Sequence, residues 1–283
     1  MDSDPEGLRA VAEGLADEAA QYVRRRRTEV FGEAGDRDGA GSAVRTKSTP
    51  TDPVTVVDTE TERLLRDRLD ELRPGDPVLG EEGGGAVRVG PGRPLWVLDP
   101  IDGTVNFVYG IEAYAVSVGV QIDGTSVAGA VANVATGELF SAAVGHGARV
   151  RRAGVSTPLR CTPVGELSMA LVGTGFGYAR EQRARQAAVL ARLLPDIRDM
   201  RRLGSCALDL CMVAAGQLDA YYEDGVHVWD WAAGALIAAE AGARMLMPDV
   251  DGGGSDLIVA AAPGIAAEFD EALRRVGART GEG

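Results

Sequence analysis

The sequence predicts a mixed α/β protein, with an antiparallel α+β N-terminal lobe over residues 1–158 and an α/β C-terminal lobe over residues 159–283. Three observations favour this. Of 283 residues, 45% are hydrophobic, enough for a substantial core. In segments 114–121 and 126–134, apolar and polar residues alternate as they do in strands. The connections around these segments are too short for crossover helices, so their pairing should be antiparallel. From about Leu159 onward, strand and helix patterns alternate.

Two helices are predicted near the N-terminus. Between Glu6 and about Arg27, apolar side chains recur at helical spacing. A Gly- and Asp-rich stretch, Gly32 to Ser42, is typical of a mobile loop. A second helix is expected over Asp58–Leu72, with Asp58 or Thr59 as its N-cap.

The remaining elements alternate along the chain. A strand at Val78–Leu79 enters a Gly-rich turn, and another strand ends at Asp99. Three later strands are predicted: Ala170–Gly173, Ala220–Tyr222 and Leu257–Ala261. Four later helices are predicted: Arg180–Leu194, Ala207–Ala215, Trp231–Ala241 and Ile265–Val276. The cleft between the two lobes is the expected ligand site.

Composition excludes several classes of protein. The formal net charge of -13 argues against a nucleic-acid-binding surface. The basic run Arg24–Arg27 is expected at a helix C-terminus, where it complements the helix dipole. An odd set of cysteines without a disulfide pattern indicates a reducing cytoplasm. No signal peptide and no membrane span are expected.

The strongest candidates for functional residues lie in the turn Asp99-Pro100-Ile101-Asp102-Gly103-Thr104. A strand delivers two carboxylates into this turn, and carboxylates that close repel each other unless a cation lies between them. Hard oxygen ligands of this kind suit Mg²⁺. The backbone N–H groups of Gly103 and Thr104 can hold a phosphate. The turn therefore indicates metal-assisted phosphoryl chemistry.

Two further acidic residues extend the pattern. Glu81 precedes the Gly-rich turn, and Asp230 precedes an Ala-rich helical run. Each has a structural alternative, because Glu81 could be a solvated loop carboxylate and Asp230 a helix N-cap. The pair at Asp99 and Asp102 could merely form Asx-type turns. The functional interpretation depends on all four occurring together.

These residues lie in segments that resemble the signatures of the inositol monophosphatase family, in particular its actinobacterial members. The main matching segments are Glu81-Glu82, Asp99–Phe107 and Trp229–Gly234. Supporting segments are Lys47-Ser48, Asp52–Asp58, Arg202–Leu208 and Asp219–Glu223. The resemblance extends from about residue 8 to residue 275. Long motifs in a fixed order are far more specific than one short pattern.

The resemblance implies a layered αβαβα sandwich and a phosphatase that uses two to three Mg²⁺ ions. One ion would be bound by Glu81, Asp99 and the main-chain carbonyl of Ile101. A second would be bound by Asp99, Asp102 and Asp230, with a third, weaker ion near Glu81. Thr104, hydrogen-bonded to Asp58, would activate the attacking water, and no covalent phospho-enzyme is expected.

The resemblance also implies the substrate contacts. Phosphate would lie on Gly103 and Thr104. Asp102 and Glu223 would accept hydrogen bonds from inositol hydroxyls, and the backbone at Cys206 would add another, although Glu223 could equally be a solvated loop residue. Lys47 and Glu82 would supply supporting electrostatics. Lithium inhibition and a homodimer, in contact through residues 178–215, are implied as well.

Three functions therefore compete. The leading one is hydrolysis of inositol 1-phosphate. The second is hydrolysis of another phosphate ester: histidinol phosphate, fructose 1,6-bisphosphate or a 3′-phosphoadenosine nucleotide. The third is a non-catalytic regulatory scaffold, a class in which metal ligands tend to be lost.

Overall fold

The computed structural model describes residues 4–32, 44–46, 53–85, 89–248 and 257–279. The helices are α1 (Pro5–Phe31), α2 (Val56–Leu72), α3 (Thr104–Tyr109), α4 (Arg180–Leu193), α5 (Cys206–Ala214), α6 (Val228–Glu240) and α7 (Ala266–Arg275). The strands are β1 (Val44–Thr46), β2 (Pro53–Thr55), β3 (Val78–Gly80), β4 (Gly84–Gly85), β5 (Pro94–Asp102), β6 (Ala115–Ile122), β7 (Thr125–Asn133), β8 (Leu139–Ala143), β9 (Ala148–Arg152), β10 (Val155–Pro158), β11 (Leu171–Thr174), β12 (Asp199–Arg201), β13 (Ala220–Asp224), β14 (Arg244–Leu246) and β15 (Leu257–Ala261).

Two large sheets organise the chain. The first has eight strands in the order β10-β9-β8-β7-β6-β5-β3-β4, and the second has five in the order β12-β11-β13-β15-β14. The predicted antiparallel pairing of β6 with β7 is confirmed. In the second sheet β11 runs parallel to β12 and β13, whereas β15 runs antiparallel to β13 and β14. The second sheet is therefore mixed. The division into lobes after residue 158 stays a prediction.

Five layers follow from the apolar faces of these elements. Helices α1 and α2 pack on the outer face of the first sheet, with Leu15, Leu65 and Trp96 in that core. Helices α5 and α6 lie between the sheets. Helices α4 and α7 cover the outer face of the second sheet, where Leu193 and Phe269 are fully buried. The predicted αβαβα sandwich is confirmed.

Helix α6 lies unusually close to the first sheet because two strand positions have no side chain. A Cβ atom at Gly119 would lie 2.8 Å from the Cβ of Ala232. A Cβ atom at Gly129 would lie 2.9 Å from the Cα of Ala233. These glycines fix the height of α6 above the sheet, and thereby the position of Asp230 in its first turn.

The role predicted for the arginine run Arg24–Arg27, which was to complement the dipole at the end of α1, is wrong. Because α1 continues to Phe31, these residues lie inside the helix, and its last turn holds no basic residue. The guanidinium of Arg24 donates to the carbonyl of Val134 at 2.6 and 2.8 Å, and Nε of Arg27 donates to the carbonyl of Phe107 at 3.0 Å. They bind α1 to neighbouring backbone rather than to its own dipole.

The predicted N-cap of α2 was also wrong. Thr55 is the cap residue, and its hydroxyl accepts a hydrogen bond from the N–H of Val57 at 3.2 Å. Asp58 is the third residue of the helix and accepts from the N–H of Thr55 at 2.9 Å. Two other predictions fall outside the described residues. They are the loop at Gly32–Ser42, of which only Gly32 is described, and the role of Lys47.

No described helix is both long enough and apolar enough to cross a bilayer.

Candidate active site

A cavity of about 490 Å³ opens where the ends of β5, β13, α5 and α6 converge. Predicted site residues on its wall are Glu81, Asp99, Ile101, Asp102, Gly103, Thr104, Cys206, Glu223 and Asp230. The structure therefore brings these predicted residues together around one cavity, and their chemical roles stay predictions.

Three of the predicted metal ligands form a cluster. Carboxylate oxygens of Asp99, Asp102 and Asp230 all lie within 4.8 Å of one another. The register of β5 against β6 shifts between Asp99 and Asp102, which brings two carboxylates from one strand to the same point. The first turn of α6 supplies the third. Glu81 lies on the same cavity wall, outside this cluster.

The donor set fits a hard divalent cation. Burial raises the pKa of Asp102 to about 7, the hydrogen bonds it accepts oppose that change, and the charges of Glu223 and Glu81 add to it. The pKa of Asp230 is raised well above its ordinary value, first by burial and then by the charges of Asp102 and Glu81. A cation among these oxygens would favour the ionised carboxylates and so oppose both pKa shifts. Oxygen-only ligands of this kind suit Mg²⁺.

Each carboxylate is also held by a hydrogen bond. Oδ1 of Asp99 accepts from the N–H of Ile101 at 3.0 Å, so the Asx-type alternative holds for that one oxygen. Oδ2 of Asp230 accepts from the N–H of His227 at 2.6 Å. His227 is the N-cap and Asp230 the third residue of α6, so the N-cap alternative for Asp230 is wrong.

Asp102 makes a contact that the sequence did not predict. Its Oδ2 accepts from the hydroxyl of Ser205 at 2.6 Å and from the N–H of Ala207 at 2.7 Å. These groups lie at the start of α5, more than a hundred residues further along the chain. The carboxylate therefore satisfies otherwise unpaired donors at a helix N-terminus. No local pattern could have indicated this contact.

The predicted pairing of Thr104 with Asp58 is present in the structure. Oγ1 of Thr104 lies 3.1 Å from Oδ1 of Asp58 and 3.1 Å from the carbonyl oxygen of Ile101. A hydroxyl has a single hydrogen, so it donates to one of these acceptors at a time. Burial raises the pKa of Asp58 to about 7, against the lowering effect of two hydrogen bonds from Thr55.

Glu223 and Cys206 also line the cavity. The hydroxyl of Tyr221 donates to Glu223, and burial raises the pKa of this carboxyl. A Cβ at Gly175 would lie 1.9 Å from Oε2 of Glu223, so a larger residue there would displace this carboxylate. Cys206 begins α5, and burial raises the pKa of its thiol well above the usual range. Burial of this kind disfavours the thiolate, which is the reactive form of cysteine.

The sequence interpretation missed Glu62. Its carboxylate accepts from the N–H groups of Glu82 and Gly83, at 2.7 and 2.8 Å, and so holds the turn that carries Glu81. The available signal was an acidic residue four positions after Asp58, within the apolar stripe of α2. Also missed were cavity-wall residues that no local pattern marks, such as Phe176, Tyr178 and Gln182.

Known proteins resemble this chain over most of its length. The sequence profile described as the Inositol monophosphatase family matches residues 4–278. Inositol-1-monophosphatase SuhB of Mycobacterium tuberculosis is 65% identical over 280 residues, which cover 97% of this chain and 96% of that protein. The solved structure named Mycobacterium tuberculosis SuhB superposes with a TM-score of 0.82 at 58% identity and covers 97% of this chain and 98% of its own. A protein named Nus factor SuhB, from Pasteurella multocida, is 39% identical over 79% of this chain and 82% of its own length.

Proposed function

The chain belongs to the inositol monophosphatase family, a family of phosphatases, and from this premise we propose that it hydrolyses inositol 1-phosphate to myo-inositol and phosphate with Mg²⁺ as cofactor. One observation carries the proposal. The carboxylates of Asp99, Asp102 and Asp230 meet within 4.8 Å in a cavity that also presents Thr104. A close relative named inositol-1-monophosphatase supports the choice of substrate.

The metal ligands in this proposal come from the turn after β3, the end of β5 and the first turn of α6. Glu81, Asp99 and the carbonyl of Ile101 would hold one ion. Asp99, Asp102 and Asp230 would hold a second, and Glu81 would also be near a third, weaker site. When bound, these ions neutralise charge on the phosphate and lower the pKa of water. The oxygen-only chemistry of the donors is what favours Mg²⁺.

The protein residues act on the water and the phosphate. Thr104 orients the attacking water, and its hydroxyl passes a proton toward Oδ1 of Asp58. With a pKa of about 7, Asp58 suits a proton acceptor near neutral pH. The N–H groups of Gly103 and Thr104 hold phosphate oxygens. The oxygen of water bonds to phosphorus, the bond between phosphorus and the ester oxygen breaks, and that oxygen takes up a proton from solvent to form the alcohol.

Substrate choice depends on residues that line the same cavity. Asp102 and Glu223 accept hydrogen bonds from ring hydroxyls, and the backbone at Cys206 contributes another contact. Carboxylates opposite a polyol are suitable partners because they accept from neighbouring hydroxyls. Glu82 supports the site electrostatically, as does Lys47, which lies outside the described residues.

A regulatory role is the second candidate, because a relative carries the name Nus factor SuhB. The presence of Glu81, Asp99, Asp102 and Asp230 on one cavity wall favours catalysis over a scaffold that has lost its ligands. The proposal also includes a homodimer, inhibition by lithium and a cytoplasmic location. The three cysteines, which are all free thiols, accord with that location.

Phosphate release from a substrate panel tests the proposed function. Inositol 1-phosphate should be hydrolysed faster than histidinol phosphate, fructose 1,6-bisphosphate or 3′-phosphoadenosine 5′-phosphate, and EDTA should abolish the reaction. Asp99→Asn removes one charge from the cluster and should lower activity by about a hundredfold or more. Much faster hydrolysis of histidinol phosphate would reject the substrate, and full activity of Asp99→Asn would reject the mechanism.

A further inference from the structure

Helix α2 contacts the turn that carries Glu81 and the start of α3, which directly follows the other proposed metal ligands at the end of β5. Asp58 and Glu62 are four residues apart, so their side chains lie on the same helix face. Both are buried, at 0% and 2% exposure. Asp58 contacts Thr104, the first residue of α3 directly after β5, and Glu62 contacts the turn after β3. One helix therefore contacts both segments.

Glu62 makes an unusually complete set of contacts for a buried carboxylate. Oε2 accepts from the N–H of Glu82 at 2.7 Å. Oε1 accepts from the N–H of Gly83 at 2.8 Å and from Nε of Arg66 at 2.8 Å. The same guanidinium donates to the carbonyl of Gly84 at 2.6 Å. The whole turn is thus bonded to α2 through one ion pair.

The packing around this carboxylate leaves the turn little freedom. A Cβ at Gly80 would lie 2.4 Å from Oε1 of Glu62, and a Cβ at Gly83 would lie 2.6 Å from the same atom. The backbone therefore closes directly onto the carboxylate. Hydrogen bonds from N–H groups to an ionised acceptor are about twice as strong as neutral ones. Losing one acceptor would leave an N–H group of the turn without its partner on α2.

We propose that Glu62 is a positioning residue, which fixes the turn at Glu81 and so sets where that carboxylate meets the cation held by Asp99. The inference rests on the proposed function, since it assumes a metal ion between these residues. Glu62 lies behind the cavity wall and acts through the backbone of residues 82 and 83. Partners that orient a metal ligand in this way typically change metal affinity about 10- to 100-fold when they are replaced.

The test is a Mg²⁺ titration by calorimetry on the full chain, with kcat measured at saturating Mg²⁺. Glu62→Gln keeps the shape but replaces one acceptor oxygen with an NH₂ group, which cannot accept from the turn. Its Kd for Mg²⁺ should rise about tenfold or more, with kcat nearly restored at saturation. If this variant does not fold, Glu62→Asp carries the test, because it keeps the charge but is too short to reach both N–H groups.

Glu60 provides the matched control on the same helix. Its carboxylate pairs with Arg26 at 2.8 Å and accepts from the Tyr22 hydroxyl at 3.0 Å, on the side that faces α1. Glu60→Gln should lower the melting temperature without changing the Kd for Mg²⁺. Wild-type affinity in the Glu62 variant, or an equal loss in Glu60→Gln, would overturn the positioning role. A wild-type protein that neither binds nor requires Mg²⁺ would instead overturn the proposed function, and this inference with it.

Discussion

At the scale of single residues, the site depends on carboxylates that each have a structural contact as well as a proposed chemical one. Asp102 shows this most clearly. One oxygen binds Ser205 and Ala207 at the start of α5, while the side chain also belongs to the acidic cluster. A cation at this site would therefore be coupled to the packing of α5 against β5.

Removing the hydroxyl of Thr104 tests the proposed proton path. Thr104→Val keeps the shape of the side chain, but valine cannot donate a hydrogen bond to Oδ1 of Asp58. General acid–base groups typically contribute about 10²- to 10⁴-fold, so kcat should fall by about a hundredfold or more. Thr104→Ser retains the hydroxyl and should retain most of the activity. Equal activity of the Val and Ser variants in steady-state assays would contradict the assignment.

Asp209 carries a prediction about stability and pH. Its side chain is 1% exposed, and neither carboxylate oxygen has a hydrogen-bond partner among the described residues. Burial, then the charges of Glu223 and Asp102, raise the pKa of this carboxyl well above its ordinary value. The folded state therefore holds a proton that the unfolded state releases above about pH 4. Its contribution lowers the free energy of unfolding as pH rises, by at most about 1.4 kcal/mol per pH unit.

Asp209→Asn should remove this dependence. Urea denaturation between pH 5 and about 8 in EDTA should give a flatter profile for the variant than for wild type, with the variant relatively more stable at the alkaline end. Other buried carboxyls titrate in both proteins, so the difference between the two profiles isolates Asp209. Parallel profiles would show that this carboxyl does not keep its proton.

At the scale of elements, the position of α6 depends on the two glycines beneath it. Gly129→Ala would place a Cβ 2.9 Å from the Cα of Ala233, so helix and strand must separate. Overpacking of this kind typically costs about 1–3 kcal/mol. We expect that loss of stability together with weaker Mg²⁺ binding, because α6 carries Asp230.

Gly14→Ala is the control for this prediction. Gly14 lies in α1 with no atom within 4 Å of the position its Cβ would take. Alanine in a helix interior is favoured over glycine by about 0.5–1 kcal/mol, so this variant should be slightly more stable than wild type. Chemical denaturation and calorimetry measure both properties. A Gly129→Ala protein with wild-type stability and metal affinity would show that α6 can move without consequence.

The elements were predictable to the extent that their signals were local. Periodicity located α1, α2 and β5, and the Asp99–Thr104 turn was readable because its carboxylates and glycine are adjacent in sequence. The true cap of α2 was missed because Thr55 precedes the apolar pattern. Ser205 and Glu62 were missed because their partners come from distant segments. The sequence does not show which faces of these helices and strands pack against each other.

At the scale of the whole molecule, oligomeric state is the open prediction. The segment 178–215 proposed for the dimer contact exposes Tyr178 at 37% and Leu194 at 47%. Light scattering should give twice the monomer mass of 29.5 kDa. Leu194→Glu should shift the protein toward monomer, whereas Val155→Glu, at a residue 64% exposed on β10, should not. A wild-type mass of one chain would reject the homodimer.

The placement of α6 also has a consequence for the order in which the protein is made. Strands β6, β7 and β8 are synthesised by residue 143, yet their inner face is covered by a helix that begins at Val228. During synthesis this apolar face stays uncovered until some 85 further residues have followed, which at about 5–20 residues per second is several seconds. The nascent chain therefore passes through a stage at which aggregation competes with completion of the fold. We expect a chaperone to bind the uncovered sheet face at this stage.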